Sequence, residues 1–133
     1  MDTMKDFFKN DRFAAANGIE LIEVRPGYAK ARMKAEEHHL NGVNTVQGGA
    51  IFTLADLAFA AAVNAHGTVA VALNVNISFL KAGFAGDTLI AEAKENSISS
   101  KVGSYTVEVR NEKGDLVALF QGTAYRKKDP LPL

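Results

Sequence analysis

Residues 48–64 read GGAIFTLADLAFAAAVN, and every other element of the chain has to be placed around this segment. After the paired glycines Gly48 and Gly49, the stretch from Ala50 to Asn64 is apolar on nearly every face of a helix. That pattern is typical of a helix surrounded by protein. We therefore predict a long central helix that other parts of the chain must cover.

The flanking sequence supplies strands that can cover this helix. Apolar residues recur at every second position from Val69 to Phe79, which is typical of a strand with one buried face. The further predicted elements are a short amphipathic helix over residues 3–17, a hairpin of Ile19–Val24 and Tyr28–Ala35 around Arg25-Pro26-Gly27, strands at Thr88–Lys94, Gly103–Arg110 and Leu116–Arg126, and a frayed tail at Lys127–Leu133.

The order of these elements is a helix, a hairpin, a buried helix and then a meander. It indicates the α+β class, with one largely apolar helix against one antiparallel sheet that curls round it. A single sheet can leave one side of such a helix exposed. We therefore also expect a second subunit.

Length and composition exclude several classes of protein. The chain has 133 residues, about the size of one domain, so we predict a single domain over residues 1–133. The absence of cysteine excludes disulfides, thiolate metal sites and a cysteine nucleophile. Fifteen Lys and Arg balance fifteen Asp and Glu, so no basic field would attract nucleic acid or an anionic membrane. Without an apolar signal segment or a membrane span, we expect a cytoplasmic protein with a small-molecule partner.

Asp56 stands alone in an uncharged region. Between Glu37 and Lys81 it is the only residue of the types Asp, Glu, Lys and Arg. A carboxylate on an apolar helix is costly to desolvate if it stays unpaired, so something must compensate for it. Two interpretations remain open: a structural hydrogen bond to a loop or backbone amide, or a general base or nucleophile that lines a site.

The glycines before the helix are a second candidate for chemistry. Gly48 and Gly49 would let a ligand approach free backbone N–H groups, where the helix dipole favours negative charge, including an oxyanion. The alternative is a plain N-terminal turn. Likewise, Asn41, Asn44 and Gln47 could be ordinary loop residues that satisfy backbone groups.

Spacing limits how Gly48 and Asp56 can cooperate. Eight residues of helix separate them by about 12 Å, which is too far for both to touch one reacting carbonyl. If both act, they belong to two chains. Two such helices packed antiparallel across a two-fold axis would form two identical composite sites.

Other polar residues give weaker signals. The adjacent His38 and His39 point apart on a helix or strand and make a poor chelate, so we predict no metal site. His66, near the end of the predicted helix, is expected to be a cap or surface residue. Lys101 and the basic residues at positions 126–128 are either solvated strand ends or contacts for the phosphates of a ligand.

Two segments resemble a known family. Residues 39–56 read HLNGVNTVQGGAIFTLAD and resemble the hotdog-fold acyl-CoA thioesterases, in particular the PaaI group of phenylacetic acid degradation. Residues 77–87 read ISFLKAGFAGD and resemble that family's turn between two strands. The similarity runs from about Asn10 to Arg126. It implies a hotdog fold, in which a curved antiparallel sheet wraps a long helix, with dimers that form a continuous sheet and often pair into tetramers.

The resemblance also implies roles for individual residues. Asp56 would be the catalytic carboxylate, either as a general base on water or as the nucleophile. The amide of Gly48 would polarise the thioester carbonyl from the facing subunit, and Asn41 would help to hold the water or the carbonyl. The family usually has histidine where this chain has Gln47, which can orient a substrate but cannot transfer a proton.

The predicted function is hydrolysis of an aryl-acetyl-CoA or a similar short hydrophobic acyl-CoA, with no cofactor besides the CoA of the substrate. Phe52, Phe59 and the partner subunit would line the acyl pocket, and Gln47, Gly49 and Lys101 would add substrate contacts. The minimal active unit would be a homodimer, within a homotetramer. The missing histidine motivates one alternative, a non-catalytic acyl-CoA binding or sensing module. A hotdog dehydratase or hydratase is disfavoured because its usual histidine motif is absent.

Overall fold

A computed structural model describes residues 2–133 as one antiparallel sheet wrapped round one long helix. The chain forms, in order, α1 (Asp2–Phe8), α2 (Arg12–Ala16), β1 (Glu20–Arg25), β2 (Tyr28–Lys34), a 3-10 turn (Glu37–His39), α3 (Gly48–Asn64), β3 (Thr68–Phe79), β4 (Thr88–Ile98), β5 (Val102–Arg110) and β6 (Leu116–Pro130). This arrangement confirms the predicted α+β class with a curved antiparallel sheet. No helix in the described range is long and apolar enough to cross a membrane.

Helix α3 is the predicted central helix, and it contacts all six strands of the sheet. Leu54, Ala55 and Ala58 have no exposed surface, as the apolar sequence requires. One face of α3 stays open, because Thr53, Asp56 and their neighbours Phe52 and Ala60 are only half-buried. The sheet therefore covers most of the helix but not the face that carries Asp56.

The predicted hairpin of β1 and β2 is confirmed, and it is fastened to α3. Gly27 has a φ of 79°, a left-handed conformation that favours glycine in this tight turn. Its N–H donates to the carbonyl oxygen of Ala62 near the end of α3, at 3.0 Å. The turn residues thus set both the hairpin and its docking on the helix.

The strands after α3 do not form a simple meander, contrary to the sequence prediction. The strand order is β1-β2-β4-β5-β6-β3, so β3 pairs with β6 at the far side of the sheet. In a meander, β3 would pair with one edge of β4. In this structure β2 occupies that edge. Only β4, β5 and β6 follow one another as neighbours. Strand β3 therefore ends as an outer strand of the sheet.

The prediction of one buried face on β3 is also wrong. The register with β6 shifts between Ala72 and Asn74, which leaves Leu73 as an extra residue. Val71 opposes the half-exposed Tyr125, whereas Ile77 opposes the buried Phe120. Opposed residues share a face of the sheet, so this bulge moves the apolar residues from one face to the other along the strand.

The N-terminal segment forms two helices rather than the single helix predicted for residues 3–17. Asp11 interrupts the segment because its carboxylate accepts the N–H of Ala14 at 3.0 Å and so begins a new helix. An aspartate at the N-cap accepts a backbone N–H of the first turn of the new helix. In a continuous helix that N–H would bond to a carbonyl oxygen of the preceding turn. The chain therefore turns between α1 and α2.

The predicted frayed tail is wrong as well. Residues 127–130 continue β6, and Leu131 is only 8% exposed. The N–H of Leu131 donates to the carbonyl oxygen of Gly67 at 2.9 Å, just after α3 ends. The tail is thus held by a distant loop that its own proline-containing sequence does not reveal.

Candidate active site

Gln47 is the N-cap of α3, and it uses the amide of only one of the two glycines that follow it. Its side-chain Oε1 accepts the N–H of Gly49 at 2.7 Å, so that amide is already used within the chain. The N–H of Gly48 has no acceptor among residues 2–133. Gly48 therefore presents one free amide at the positive end of the helix, where a negatively charged atom is favoured.

A cavity of about 360 Å³ lies beside this free amide. Asn41, Gly48 and Phe79 are among its lining residues. A Cβ atom on Gly48 would lie 3.1 Å from Cζ of Phe79, so any side chain at position 48 would press on this ring. Glycine at position 48 thus keeps the approach to the amide open.

Asn41 is brought to the same cavity, but its side chain already has partners. Its Oδ1 accepts the N–H groups of Val43 and Thr45 at 3.0 Å and 3.2 Å, and its Nδ2 donates to Oγ1 of Thr45 at 2.9 Å. Asn44 in this loop has a φ of 64°. Asn41 therefore organises the loop, and one Nδ2 hydrogen remains for a ligand.

Asp56 lies on the open face of α3, two turns after Gly48. Burial raises the pKa of its carboxyl group, and the negative charge of Asp11 at the start of α2 raises it further. No hydrogen-bond donor within the described chain opposes these effects. The structural interpretation of Asp56 as a capping or amide-bonded residue thus finds no partner among residues 2–133, and its carboxylate is available for chemistry.

A single chain does not unite Gly48 and Asp56. Their separation along α3 is about 12 Å. The cavity beside Gly48 has no lining from Asp56. Any reaction that uses both groups needs a second copy of the chain.

Of the two aromatic residues expected in the acyl pocket, Phe59 lies in the core instead. Phe59 is only 2% exposed, and its ring centroid is 5.6 Å from that of Tyr105 and 5.5 Å from that of Phe120. Gly122 leaves the room for this ring, because a Cβ there would lie 2.9 Å from Phe59. The prediction that Phe59 lines a pocket is therefore wrong: it is a core residue. Phe52 stays half-buried on the open face of α3.

Lys101 lies in the turn between β4 and β5. Its neighbour Val102 pairs with Tyr125, which in turn pairs with Val71 near the start of β3. That edge of the sheet accompanies the end of α3, so Lys101 and Gly48 lie at opposite ends of the helix within one chain. A contact of Lys101 with a ligand held by Gly48 would again require two copies.

The histidines have structural partners. His39 is 3% exposed; its Nδ1 accepts the N–H of Glu36 at 3.0 Å, and its Nε2 lies 3.0 Å from the carbonyl oxygen of Asn17. Burial lowers the pKa of His39, which suits the neutral ring. His66 Nε2 lies 2.7 Å from Oε1 of Glu95. In the described part of the chain, no three His, Asp or Glu side chains are grouped to hold a metal ion.

Sequence reasoning missed two residues beside this site. Asp11 influences Asp56, and the exposed ring of Phe13 lines a cavity of about 310 Å³ together with Gln47, Gly49 and other residues. Neither stands out in the sequence, because Asp11 caps the short helix α2 and Phe13 lies within it, and the position of that helix depends on tertiary packing. Only the charged N-cap pattern at Asp11 could have suggested a helix start there.

Comparison with known proteins identifies the class to which this fold and site belong. The family model described as Thioesterase superfamily matches residues 43–118, which include α3, the strands β3, β4 and β5, and the start of β6. The chain therefore belongs to the thioesterase superfamily and is a thioester hydrolase with a hotdog fold.

One relative with similar sequence and structure is an acyl-coenzyme A thioesterase. The chain is 42% identical over 119 residues to the acyl-coenzyme A thioesterase PaaI of Escherichia coli, covering 90% of this chain and 85% of that protein. The structure of E. coli PaaI superposes with a TM-score of 0.91 at 40% identity, covering 94% of this chain and 91% of that one.

Two more solved structures are similar. A mutant of the phenylacetic acid degradation protein PaaI from Thermus thermophilus has a TM-score of 0.85 at 38% identity, covering 88% of this chain and 100% of that one. A Streptococcus mutans protein bound to acetyl CoA has a TM-score of 0.81 at 25% identity, covering 85% and 91%.

Proposed function

We propose that this thioester hydrolase cleaves an aryl-acetyl-CoA or a similar short hydrophobic acyl-CoA to the free acid and CoA, with water as second substrate and no cofactor. One observation carries the proposal: α3 offers a free amide at Gly48 beside a cavity and an unpaired carboxylate at Asp56. Thioester hydrolysis needs one group that holds the oxyanion and one that activates water or attacks. The names of the E. coli and Thermus relatives support an acyl-CoA of phenylacetate degradation.

The chemistry follows from the two groups. The Gly48 N–H donates to the thioester carbonyl oxygen at the positive end of α3. Asp56 as a general base takes a proton from water while the water oxygen attacks the carbonyl carbon. The tetrahedral oxyanion then collapses, the C–S bond breaks, and the CoA thiolate takes the proton from Asp56. Asp56 as a nucleophile would instead attack the carbonyl carbon itself, so that the C–S bond breaks, the CoA thiolate leaves and a mixed anhydride forms. Water then hydrolyses the anhydride to the free acid and the restored Asp56 carboxylate, and the proton that the water releases goes to the thiolate.

A homodimer is part of the proposal, because one chain holds Gly48 and Asp56 about 12 Å apart. Strand β3 is an outer strand whose unpaired backbone can pair with another chain. Leu73 and Phe79 are exposed along it. In the proposed dimer two β3 strands pair antiparallel and the open faces of two α3 helices meet. Each site then takes Gly48 from one copy and Asp56 from the other.

A homotetramer extends this arrangement. Val71, Tyr125 and Val102 are cross-strand neighbours on the outer face of the sheet, and all three are exposed. Pairing of two β3 strands would bring two such apolar clusters together across the dyad. The enlarged surface favours contact between two dimers, since apolar patches of this kind commonly mark interfaces.

The remaining predicted contacts fit this proposal in part. Asn41 has one Nδ2 hydrogen left for the water or the carbonyl. Gln47 has its Nε2 group free for substrate while Oε1 caps the helix. Phe52 on the open face of α3 and Lys101 at the opposite end of the sheet would act at the dimer interface. A cytoplasmic location stays a prediction.

A hydrolysis screen tests the substrate class. Release of free CoA thiol would be measured with acetyl-, hexanoyl-, palmitoyl- and phenylacetyl-CoA. We expect the highest kcat/KM with phenylacetyl-CoA, a lower value with acetyl-CoA, and no stimulation by added metal ions. Gly48→Val is the matched control, because its side chain closes the approach to the amide. A clear preference for palmitoyl-CoA, or equal rates for the wild type and Gly48→Val, would contradict the proposal.

A further inference from the structure

Helix α2 lies beside the first turns of α3, next to the face that carries Asp56. At one end, the carbonyl oxygen of Asn17 is 3.0 Å from Nε2 of His39, and the carbonyl oxygen of His39 accepts the N–H of Gln47 at the start of α3. At the other end, the carboxylate of Asp11 is close enough to Asp56 to influence it. The segment from Asp11 to Asn17 thus lies beside the first turns of α3.

Phe13 is the large apolar side chain on the exposed face of α2. Its neighbour Ala14 is 2% exposed and anchors the helix in the core, whereas the ring of Phe13 is 68% exposed. The ring lines a cavity of about 310 Å³ together with Gln47, Thr53 and other residues. An aromatic ring that remains in water beside a cavity is a surface on which an apolar group can be buried.

The cavity has a mixed lining, in which Asn17, His38, His39, Gln47 and Thr53 are polar. Most of these polar groups are already used within the chain: both ring nitrogens of His39 and Oε1 of Gln47 have partners. Thr53 donates its hydroxyl to the carbonyl oxygen of Gly49 at 2.8 Å, so this polar group is already satisfied within α3. Ala50 adds a further apolar surface. No Asp, Glu, Lys or Arg belongs to the described lining.

We propose that Phe13 is a specificity-determining residue, whose ring forms a wall against which the hydrocarbon part of the acyl group packs. This inference rests on the proposed function, since it assumes an acyl thioester held between Gly48 and Asp56. An aryl ring would gain both buried area and an edge-to-face or offset contact with Phe13, whereas an acetyl group is too short to gain either. Phe13 would therefore select for aryl-acetyl over acetyl groups without taking part in the chemical step.

Steady-state kinetics with two substrates test this role. We expect Phe13→Ala to lower kcat/KM for phenylacetyl-CoA about tenfold, the loss expected for one aromatic contact, while acetyl-CoA changes by less than about twofold. Phe13→Leu should lie between the two. Alanine favours helix, so α2 should persist. Arg12→Ala is the matched control, because Arg12 is exposed on the same helix and outside the cavity; it should leave the ratio of the two kcat/KM values unchanged.

Equal losses with both substrates, or dissociation of Phe13→Ala into monomers by sedimentation, would overturn the inference and assign Phe13 to assembly. If the wild type hydrolyses no acyl-CoA, the proposed function fails. The role of Phe13 is then tested separately by measuring the binding of acyl-CoA. In that measurement, calorimetry compares Asp56→Asn with the double variant carrying Phe13→Ala. A Kd for phenylacetyl-CoA that rises about tenfold in the double variant, with the Kd for acetyl-CoA unchanged, supports the proposed contact between Phe13 and the acyl group. Unchanged Kd values reject it.

Discussion

The surroundings of Asp56 disfavour the charged form of its carboxyl group. Burial raises the pKa of its carboxyl group, and no donor among residues 2–133 compensates. We expect Asp56→Asn to lower kcat about 10² to 10⁴-fold, because the amide is nearly isosteric but can neither accept a proton nor attack. Thiol release from phenylacetyl-CoA measures the loss. Near-normal turnover by a correctly folded variant would end the catalytic assignment.

The stability of the same variant is its control. A carboxyl group whose pKa in the folded state is raised above its unfolded value costs no stability below both values. The cost grows as the pH rises from the unfolded to the folded pKa and is complete above the folded pKa. Asp56→Asn should therefore have an equal or higher Tm than the wild type at neutral pH. This gain should shrink as the pH falls through the pKa of Asp56. A lower Tm at neutral pH would mean that loss of activity reflects damage to the fold.

Asp11 tunes Asp56 at a distance, and its own capping role can be kept while its charge is removed. Asp11→Asn retains an N-cap for α2, since asparagine caps as well as aspartate. Without the charge the pKa of Asp56 should fall, so the acid limb of the kcat/KM profile should move to lower pH. Asp6→Asn, on the exposed part of α1, is the control and should leave the limb in place. An unshifted limb in Asp11→Asn would show that the two carboxylates do not interact.

At the scale of the helix, Gln47 caps the start of α3 and so satisfies a backbone group, which is one of the roles that the sequence left open for it. Gln47→Ala should lower the free energy of unfolding by about 1 kcal/mol, because the Gly49 amide loses its acceptor, whereas Gln47→Ser should largely retain it. Urea denaturation measures both. We also expect Gln47→Ala and Gln47→Ser to raise KM while Gln47→His remains active. Activity found only in Gln47→His would instead favour the alternative of a non-catalytic acyl-CoA binding module.

The elements differ in how far the sequence predicted them. The turn at Gly27 and the apolar helix α3 depend on residues close together in the chain, so both were predicted correctly. Strand β3 was located but misplaced in the sheet, because pairing with β6 depends on a partner far along the chain. The bulge at Leu73 then exchanged the faces that simple alternation had assigned. Strand pairing and register are tertiary properties that a local period cannot specify.

At the scale of the whole molecule, the proposed composite site requires that activity belong to the dimer. The test is a mixed dimer with Gly48→Val in one copy and Asp56→Asn in the other, purified by two different tags. If each site uses both copies, both defects fall in one site, the second site is intact, and about half of the wild-type activity returns. Each mutant homodimer should be inactive.

One outcome of the mixed-dimer experiment would contradict the composite site. If one chain supplied both groups to its own site, each of the two sites would carry one defect. The mixed dimer would then be as inactive as the homodimers. Sedimentation must show that the mixed species does not dissociate into monomers at the assay concentration, so that absence of activity reports on the site and not on dissociation.

The sequence by itself determined the apolar helix, the strands with their turns, and the position of Asp56 as an isolated charge, because each depends on residue types and their local spacing. The tertiary structure alone decided that Phe59 lies in the core opposite Gly122 and that β3 is an outer strand. It also decided that α2 carries Asp11 and Phe13 to the open face of α3. These features arise from contacts between residues far apart in the chain, and burial, pKa and access to a ligand all depend on which surfaces those contacts cover.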